Sequence, residues 1–422
     1  MGLRALGQLG LLPDLEKGST PLEKFQRIDH QGRDIGDAWF FTFVGESHGA
    51  RPRVISRHTL MQVFWNNLPV SARAHIHSNK KVSNVRTTSN GVVVSCTDGT
   101  SYEGAMVIGA DGAYSAVRKH MQRLALEEQQ KNAQSSESPA KQNHADEEKP
   151  FLTSYRCLWI RFPVLPQLTI GDAFETHGPL ITTQLFVDED SALLNVYEKL
   201  PSPTYTPQRW TEADDDPFMD KWRHLPLTRN KLTLGQAYDH RVAAGWINLE
   251  EGVVRKWSFG GRVVLVGDAA HKYTPSSGMG CNEGIVDVVV LTNEIARAFS
   301  SASRSSSPSE DSSATTTINT VPSAVALATG FKTYQNTRFD LVSYGCMVSG
   351  TATNASTWSS LFLKFFDLWI LSMKPIQRFF VHLGAKDMAR TPCFEFIEGE
   401  ELIVGKVPWT SKIPKRAEVG AE

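Results

Sequence analysis

The sequence predicts an α/β protein in which an antiparallel sheet is inserted into an incomplete doubly wound domain, with helices at the C-terminal end. Three observations support this. Twice a strand-like run ends in a turn that contains Gly and Asp and leads into a helix, with Gly-Ala-Asp-Gly in residues 105–121 and Gly-Asp in residues 261–299. Residues 151–244 alternate short apolar runs with Pro- and Asp-rich breaks, which is typical of antiparallel strands. Beyond residue 324 the apolar pattern is mainly helical until Pro392.

The first block, residues 1–125, contains two predicted helices and three predicted strands. The helical patterns are "GLRALGQLGLL" and "RHTLMQVFWNNL". The strand candidates are "KVSNVRTT", "VVVSCT" and "AMVIGADG". Tight-turn dipeptides at Asn90-Gly91 and Asp98-Gly99 are expected to join the first strand to the second and the second to the third.

In the middle block, the runs "SYRCLWIRF", "LITTQLFV" and "SALLNVYEKL" predict strands of a mostly antiparallel sheet. Residues 126–150 and 300–323 are poor in apolar side chains, so we expect disordered surface insertions there. The predicted organisation is a first α/β part (1–125), an insertion (126–150), the antiparallel sheet (151–244), a second α/β part (245–299), an insertion (300–323) and a helical C-terminal region with its tail (324–422).

Composition excludes several classes of protein. Hydrophobic residues make up 41% and charged residues 21% of the chain, as in ordinary globular proteins. A net charge of −1 gives no electrostatic footprint for nucleic acid. The five cysteines are scattered without CxxC spacing, which supports neither a disulfide framework nor zinc, and HExxH is absent, so no metal is expected. With no signal-peptide pattern, a reducing cytoplasmic setting is predicted.

One late stretch, "WSSLFLKFFDLWILSM" at residues 358–373, is strongly apolar but too short to span a bilayer. The simpler interpretation is a half-buried amphipathic helix. The alternative is a surface that contacts a membrane peripherally or lines an entrance for an apolar substrate.

The densest chemistry lies in "GRVVLVGDAAHKYTPSSGMGCNEG", residues 261–284. A buried strand that ends at Gly267-Asp268 places a carboxylate at the edge of the sheet where α/β proteins bind ligands. The glycine-rich loop allows close backbone approach, and the following helix start offers unpaired N–H groups. This arrangement favours an anion or an electron-rich ring edge. Glycines needed only for packing are the competing interpretation.

Together with "GADGAYSAVR" at residues 109–118, this stretch resembles the class A flavoprotein monooxygenases of the aromatic-hydroxylase type. Within that family the chain is similar to fungal epoxidases of meroterpenoid and indole-diterpene pathways. The matching positions are Gly109, Asp111, Gly112, Ser115, Val117 and Arg118 in the first motif, and Gly267, Asp268, Ala269, Ala270, His271, Pro275, Gly278, Gly280, Asn282, Gly284 and Asp287 in the second.

The resemblance implies FAD as cofactor and assigns roles to single residues. Arg57 would reach the pyrophosphate or ribityl region, and Asp268 would accept hydrogen bonds from the ribityl chain or keep the pyrophosphate side in register. Asp111 and Gly112 would shape a groove shared by FAD and the nicotinamide donor. Backbone N–H groups close to Gly278, Gly280, Cys281 and Asn282 would face the N1–O2 edge of the flavin, and Pro275 would pack beside its reactive face.

Two further residues of the motif have expected roles. His271 would be a structural hydrogen-bonding partner. Met279 replaces the glutamine common in the family, so only a backbone role is expected for it.

The implied reaction uses NADPH and dioxygen to epoxidise or hydroxylate a small hydrophobic substrate, a terpenoid or prenylated aromatic of secondary metabolism. Tyr155, Arg156 and Trp159 are candidate lining residues, although ordinary sheet roles are the competing interpretation. No catalytic acid or base can be assigned from the sequence.

The family's first βαβ unit, with its GxGxxG fingerprint, has no counterpart after an early strand in this sequence. Three hypotheses follow. The gene model is truncated and the enzyme longer; the protein is a repurposed relative without redox activity, such as a cyclase or isomerase; or it is a working flavoenzyme at this length.

Overall fold

The computed structural model describes residues 1–134, 149–305 and 321–415. The first of these segments is α/β. Its helices are α1 (Gly2–Gln8), α2 (Leu12–Lys17), α3 (Phe40–His48), α4 (Arg57–Asn67), α5 (Val70–Arg73) and α6 (Ala116–Gln134). Its strands are β1 (Thr20–Pro21), β2 (Gln26–Asp29), β3 (Arg53–Val54), β4 (Val82–Thr87), β5 (Val92–Cys96), β6 (Ser101–Gly104) and β7 (Val107–Gly109).

The second segment is mostly strand and the third mostly helix. The strands are β8 (Leu152–Phe162), β9 (Ala173–His177), β10 (Ile181–Val187), β11 (Ala192–Thr204), β12 (Ala243–Val253), β13 (Ser258–Phe259), β14 (Val263–Leu265) and β15 (His271–Lys272). The helices are α7 (Asp215–Trp222), α8 (Leu234–Asp239), α9 (Gly280–Ser305), α10 (Ala324–Ser356), α11 (Leu361–Phe365) and α12 (Lys374–Met388), with a π-helical turn at Phe366–Ile370.

The two motifs, Gly-Ala-Asp-Gly at residues 109–112 and Gly-Asp at residues 267–268, lie at the ends of neighbouring strands of one small sheet. Its order is β13-β14-β7, and β14 runs parallel to β7 with Leu265 beside Gly109. All three residues of β14 are fully buried, as expected for the central strand of a covered parallel sheet. Among the described residues β7 is an edge strand, and its Ile108 is 45% exposed.

A seven-stranded sheet of order β15-β12-β8-β11-β10-β9-β2 forms the second layer. Its strands pair antiparallel except for the parallel pair β2 and β9. Side chains of one face pack with α7 and α8 around Leu158, Ile160 and Phe218. The opposite face carries Tyr155, Cys157 and Tyr197. The fold therefore combines a small mixed sheet that carries the two motifs, a large and mainly antiparallel sheet, and a helical C-terminal part.

Several predicted boundaries were wrong. The first predicted helix ends at Gln8, because Gly10 adopts a φ of +76° and starts a new turn before α2. The turn at Asp98-Gly99 joins β5 to β6 rather than to β7. The antiparallel sheet does not end at residue 244, because β12 continues to Val253 and β2 and β15 also join the sheet.

The predicted insertions also begin later than expected. Residues 126–134 continue α6 and residues 300–305 continue α9. Leu, Ala, Glu and Gln are good helix formers, so a segment poor in aromatic residues can still extend a solvent-facing helix. The remaining insertion residues, 135–148 and 306–320, lie outside the described residues, whereas 321–323 lead into α10.

Candidate functional site

The turn after β14 presents a carboxylate to solvent. Gly267 has a φ of +57° and opens a short 3₁₀ turn, Gly267–Ala269. The Gly267 N–H donates to Asp287 Oδ2 at 2.9 Å, which fastens the turn to α9. The side chain of Asp268 remains 48% exposed. This carboxylate is therefore able to accept hydrogen bonds from a ligand.

The loop that follows leaves backbone groups open. Gly278 has a φ of +63°, and α9 begins at Gly280. A Cβ placed on Gly278 or Gly280 would meet no heavy atom within 4 Å, so the backbone faces open space on that side. Asn282 stabilises the loop by donating from Nδ2 to the carbonyl of Gly278 at 3.1 Å. The first N–H groups of a 26-residue helix thus lie next to open space and favour negative charge there.

Arg57 and Asp268 lie close enough to Cys281 to influence its thiol. Burial raises the pKa of Cys281, the nearby Asp268 carboxylate adds to this, and the Arg57 guanidinium opposes it. Arg57 is the exposed first residue of α4, whose N-cap Ser56 accepts a hydrogen bond from the Thr59 N–H. The structure therefore places a cation and a carboxylate near the amide-rich start of α9.

The first motif has a different local role. The Asp111 carboxylate accepts hydrogen bonds from the Ser115 hydroxyl and from the N–H groups of Ala116 and Val117, so it caps α6. Gly112, with a φ of +80°, faces open space. The capping role of Asp111 was not foreseen, although an Asp ahead of a helix start is a recognised signal for it.

Arg118 and the strand ladder hold the two motifs together. Its buried guanidinium donates to the Ala269 carbonyl at 2.8 Å and to the Ala113 carbonyl. The Val266 N–H also donates to the Gly109 carbonyl at 3.0 Å. Residues distant in sequence are therefore joined at one edge of the motif sheet.

Behind the Gly-Asp turn lies a buried group of charges, His271, Glu283, Asp287 and Arg338, which we call the motif cluster. His271 Nε2 and Asp287 Oδ2 are 2.6 Å apart, and Arg338 donates to both carboxylates. Burial alone would raise the pKa of Asp287, but His271 and Arg338 lower it below its ordinary value. Burial would lower the pKa of Arg338, and the two carboxylates raise it instead.

His271, for which the sequence predicted a structural hydrogen-bonding role, has Asp287 as its partner. The sequence reasoning missed Glu283 and Arg338. Two carboxylates four residues apart on an apolar helix were a usable signal, because buried carboxylates need a cationic partner. Met279 is partly buried and packs on the hydrophobic core, and its carbonyl accepts from the Glu283 N–H at 2.9 Å.

The loop that carries Pro275 is fixed against α10 and the large sheet. The Ser276 and Thr353 hydroxyls are 2.6 Å apart, and the Ser277 hydroxyl donates to Ser349 at 2.9 Å. Gln184 on β10 donates to the Ser276 carbonyl at 3.0 Å. Pro275 itself is exposed. One face of the large sheet is therefore held next to the loop.

Of the three candidate lining residues, Tyr155 and Trp159 belong to one cluster on the sheet, together with Tyr197 on β11. The Tyr155 hydroxyl donates to Asn354 Oδ1 at 2.7 Å, and Trp159 is only partly buried. Arg156 points to the opposite face, where it pairs with Glu198 at 2.7 Å and lies over Trp210 and Trp246. Arg156 therefore does not line the loop side of the sheet, because neighbouring side chains on a strand alternate between faces.

Sequence comparison relates the chain to fungal flavoenzymes. Residues 236–313 match the FAD binding domain family. The "FAD-dependent monooxygenase DEP2" of Alternaria brassicicola is 27% identical over 374 residues, or 87% of this chain and 65% of that protein. The "FAD-dependent monooxygenase ausM" of Penicillium brasilianum is 28% identical over 300 residues, or 69% of this chain and 59% of that protein. The chain is thus similar in sequence to fungal FAD-dependent monooxygenases.

Solved structures show the same fold. p-Nitrophenol 4-monooxygenase PnpA from Pseudomonas putida DLL-E4 aligns with a TM-score of 0.63 at 16% identity, over 90% of this chain and 85% of that one. Klebsiella pneumoniae HpxO complexed with FAD and uric acid aligns with a TM-score of 0.60 at 18% identity, over 91% and 84% of the two chains. The chain thus has the fold of flavin monooxygenases, while it spans less than two thirds of the length of the fungal relatives described above.

Proposed function

We propose that the protein is an FAD-dependent monooxygenase that uses NAD(P)H and dioxygen to epoxidise or hydroxylate a hydrophobic terpenoid or prenylated aromatic of secondary metabolism. The observation that carries this proposal is that Arg57 and the exposed Asp268 lie near the open backbone at the start of α9. These groups match an acidic, hydroxyl-rich and electron-rich cofactor. When bound, FAD would supply the electron transfer and the activation of oxygen.

Each of the residues near the start of α9 has a proposed task in this reaction. Arg57 would pair with phosphate oxygens, and Asp268 would accept hydrogen bonds from ribityl hydroxyls. The N–H groups at Gly280, Cys281 and Asn282 would stabilise negative charge at the ring edge. The cap at Asp111 would keep the Gly112 backbone open to the nicotinamide donor, and Pro275 would pack beside the ring and exclude water.

The domain assignment is likewise a proposal. Residues 1–125 and 245–299 would form the flavin domain, and the sheet between them would face the substrate. The course of β12 extends that sheet to residue 253. Because Ser276 is bonded to Gln184 on this sheet, a substrate lying there would be close to the loop that carries Pro275.

The alternative is a repurposed relative that binds an apolar substrate without redox chemistry. Such a relative would keep the sheet face beside the loop that carries Pro275 and would not need the charged groups near Asp268. The two proposals therefore differ first in whether the chain holds FAD.

Titration of the purified chain with FAD, followed by visible absorption, tests the proposal. We expect saturable binding at one FAD per chain, and Asp268→Asn should weaken it by about 10- to 100-fold, because a hydrogen bond to a charged acceptor is lost. Asp98→Asn is the matched control, since Asp98 is 40% exposed on the β5–β6 turn. No saturable binding, or equal effects of both substitutions, would contradict the proposed site.

We further propose that the protein is cytoplasmic and contacts a membrane peripherally. In the described residues no helix is long and apolar enough to cross a bilayer. Instead, Leu361, Phe362, Phe365 and Trp369 are exposed, and Phe362, Phe366 and Phe380 form a continuous aromatic surface across α11 and α12. The cations Lys364, Lys374, Arg378 and Lys386 lie on the same segments. Aromatic residues flanked by cations are typical of helices that lie on anionic lipid.

Flotation with vesicles of phosphatidylcholine and phosphatidylserine tests this contact. The double variant F362S/F365S should lose most binding, because it removes two large apolar side chains from the lipid-facing surface. V70S/I76S changes an exposed apolar pair on a different part of the chain and should bind like the unaltered protein. Equal flotation of all three proteins would argue for the substrate-entrance interpretation of the surface.

A further inference from the structure

Four charged side chains from distant parts of the chain meet on the large sheet, and we call them the sheet cluster. They are Arg27 on β2, Glu175 and His177 on β9, and Asp367 in the π-helical turn. Arg27 donates to Asp367 Oδ1 at 2.9 Å, and His177 Nδ1 lies 2.9 Å from Asp367 Oδ2. His177 Nε2 lies 3.1 Å from Glu175 Oε2. The charges alternate in sign along this chain of contacts.

The inner members of the cluster are held in their charged forms. Burial alone would lower the pKa of His177, but the carboxylates of Asp367 and Glu175 raise it to about 9. Burial would raise the pKa of Asp367, whereas His177 and Arg27 lower it to about 2. At neutral pH a fixed imidazolium therefore faces the Glu175 carboxylate and orients it.

The cluster opens towards solvent at one end only. The side chains of Arg27, His177 and Asp367 are at most 5% exposed, whereas that of Glu175 is 14% exposed. Glu175 Oε1 accepts from Gln184 Nε2 at 2.8 Å. The same amide nitrogen of Gln184 donates to the Ser276 carbonyl, and the Tyr197 hydroxyl donates to Gln184 Oε1 at 2.9 Å. Glu175 is thus fixed beside the loop that carries Pro275.

We infer that Glu175 anchors the substrate by accepting a hydrogen bond from a hydroxyl group on an otherwise apolar molecule. This inference rests on the proposed function, because it takes the loop side of the sheet as the substrate side. Each oxygen of Glu175 accepts one hydrogen bond within the protein, and a carboxylate oxygen can accept more than one. A phenol or alcohol would satisfy this remaining capacity.

An ether in the same position would leave this remaining acceptor capacity of Glu175 without a donor in a partly desolvated place. A site built to hydrogen-bond a hydroxyl rejects the analogue that lacks it, because its own polar group is then left unpaired. The sheet cluster therefore selects hydroxylated substrates over their ethers or deoxy analogues.

The test compares two probes, 4-farnesylphenol and its methyl ether, by isothermal titration with the full chain. We expect the phenol to bind about 10- to 100-fold more tightly than the ether. In Glu175→Met the ratio should fall to about one, and in Glu175→Gln it should be intermediate. Glu103→Gln, on the exposed strand β6, is the control and should keep the full ratio.

Equal affinity for both probes in the unaltered protein, or no binding of either, overturns the inference without reference to any variant. An unchanged ratio in folded Glu175→Met overturns it as well. FAD titration of the same samples separates this result from the proposed function. A phenol preference without FAD binding would contradict the monooxygenase proposal and leave the anchor in place.

Discussion

The motif cluster and the sheet cluster are both buried groups of alternating charges, yet they differ in what they leave open. In the motif cluster all four side chains are at most 5% exposed, and the two carboxylates pair with Arg338 and with His271 Nε2 between the turn, α9 and α10. Among the described residues His271 Nδ1 has no hydrogen-bond partner. The sheet cluster joins β2, β9 and the π-helical turn and reaches solvent at Glu175. A cluster that is shielded from solvent can only fix the position of the backbone, whereas a cluster that reaches solvent can also bind a ligand.

The difference follows from how each cluster is held. Asp287 bonds the Gly267 N–H, so the motif cluster sets the position of the turn without touching a ligand. In the sheet cluster the two inner charges fix the orientation of an outer carboxylate. Removing single charges from each cluster can therefore distinguish a role in stabilising the backbone from a role in binding a ligand.

The largest expected effect is that of Arg338→Met. It leaves Glu283 and Asp287 buried without their cation, so the free energy of unfolding should fall by about 3–5 kcal/mol in urea denaturation. Arg297→Met is the control, because Arg297 pairs with Glu395 at an exposed site and should lose at most about 1 kcal/mol. Similar losses in both variants would show that the motif cluster is not a closed ionic support.

The second effect is a pH dependence that belongs to the sheet cluster. The pKa of His177 is about 9 in the folded protein and its ordinary value is 6.5, so its contribution is complete below pH 6.5 and is lost as the pH rises through 9. The free energy of unfolding of the unaltered protein, minus that of His177→Gln, should therefore fall by up to about 3 kcal/mol across this window.

Urea denaturation at pH 6, 7.5 and 9 measures this difference. His240→Gln, at the exposed end of α8, provides the histidine control and should give a flat difference. A flat difference for His177→Gln would mean that His177 is not held as a cation. The open cluster would then lack the charge that orients Glu175.

The smallest effect is that of Trp358→Phe. The Trp358 indole donates to Asp367 Oδ2 at 2.9 Å, and its loss should lower the free energy of unfolding by about 1.5 kcal/mol. Trp369→Phe alters an exposed indole close by and should stay within about 0.5 kcal/mol. Equal losses would assign the effect to ring packing rather than to the acceptor Asp367.

The strands and helices around the two Gly- and Asp-containing motifs could be predicted from the sequence because their signals are local. The run before Gly267 is apolar throughout, as buried parallel strands are, and the structure has β14 there. The helix at Arg57–Asn67 and the strands at Val82–Thr87 and Val92–Cys96 were also correctly predicted. The predicted fold class and the relationship to flavin monooxygenases are confirmed by the comparisons.

For the large sheet, the sequence predicted individual strands but not their order. Which strands neighbour each other depends on pairings such as β2 with β9, which join residues about 150 positions apart in sequence. The sheet cluster therefore had no local signal. Asp367 lies in an apolar stretch where it suggested only an amphipathic helix, and Arg27 lies in a strand that the sequence reasoning did not identify.

Strand β12 is shared by both halves. From Ala243 to Glu251 it pairs with β8, and at its end Gly252 and Val253 pair with Lys272 and His271 of the motif loop. Consequently we expect the large sheet and the Gly-Asp turn to belong to one cooperative unit of the native state. Loosening the turn requires that the pairing between the end of β12 and β15 breaks first. We therefore expect the amide protons of the turn and of the large sheet next to β12 to exchange with solvent together.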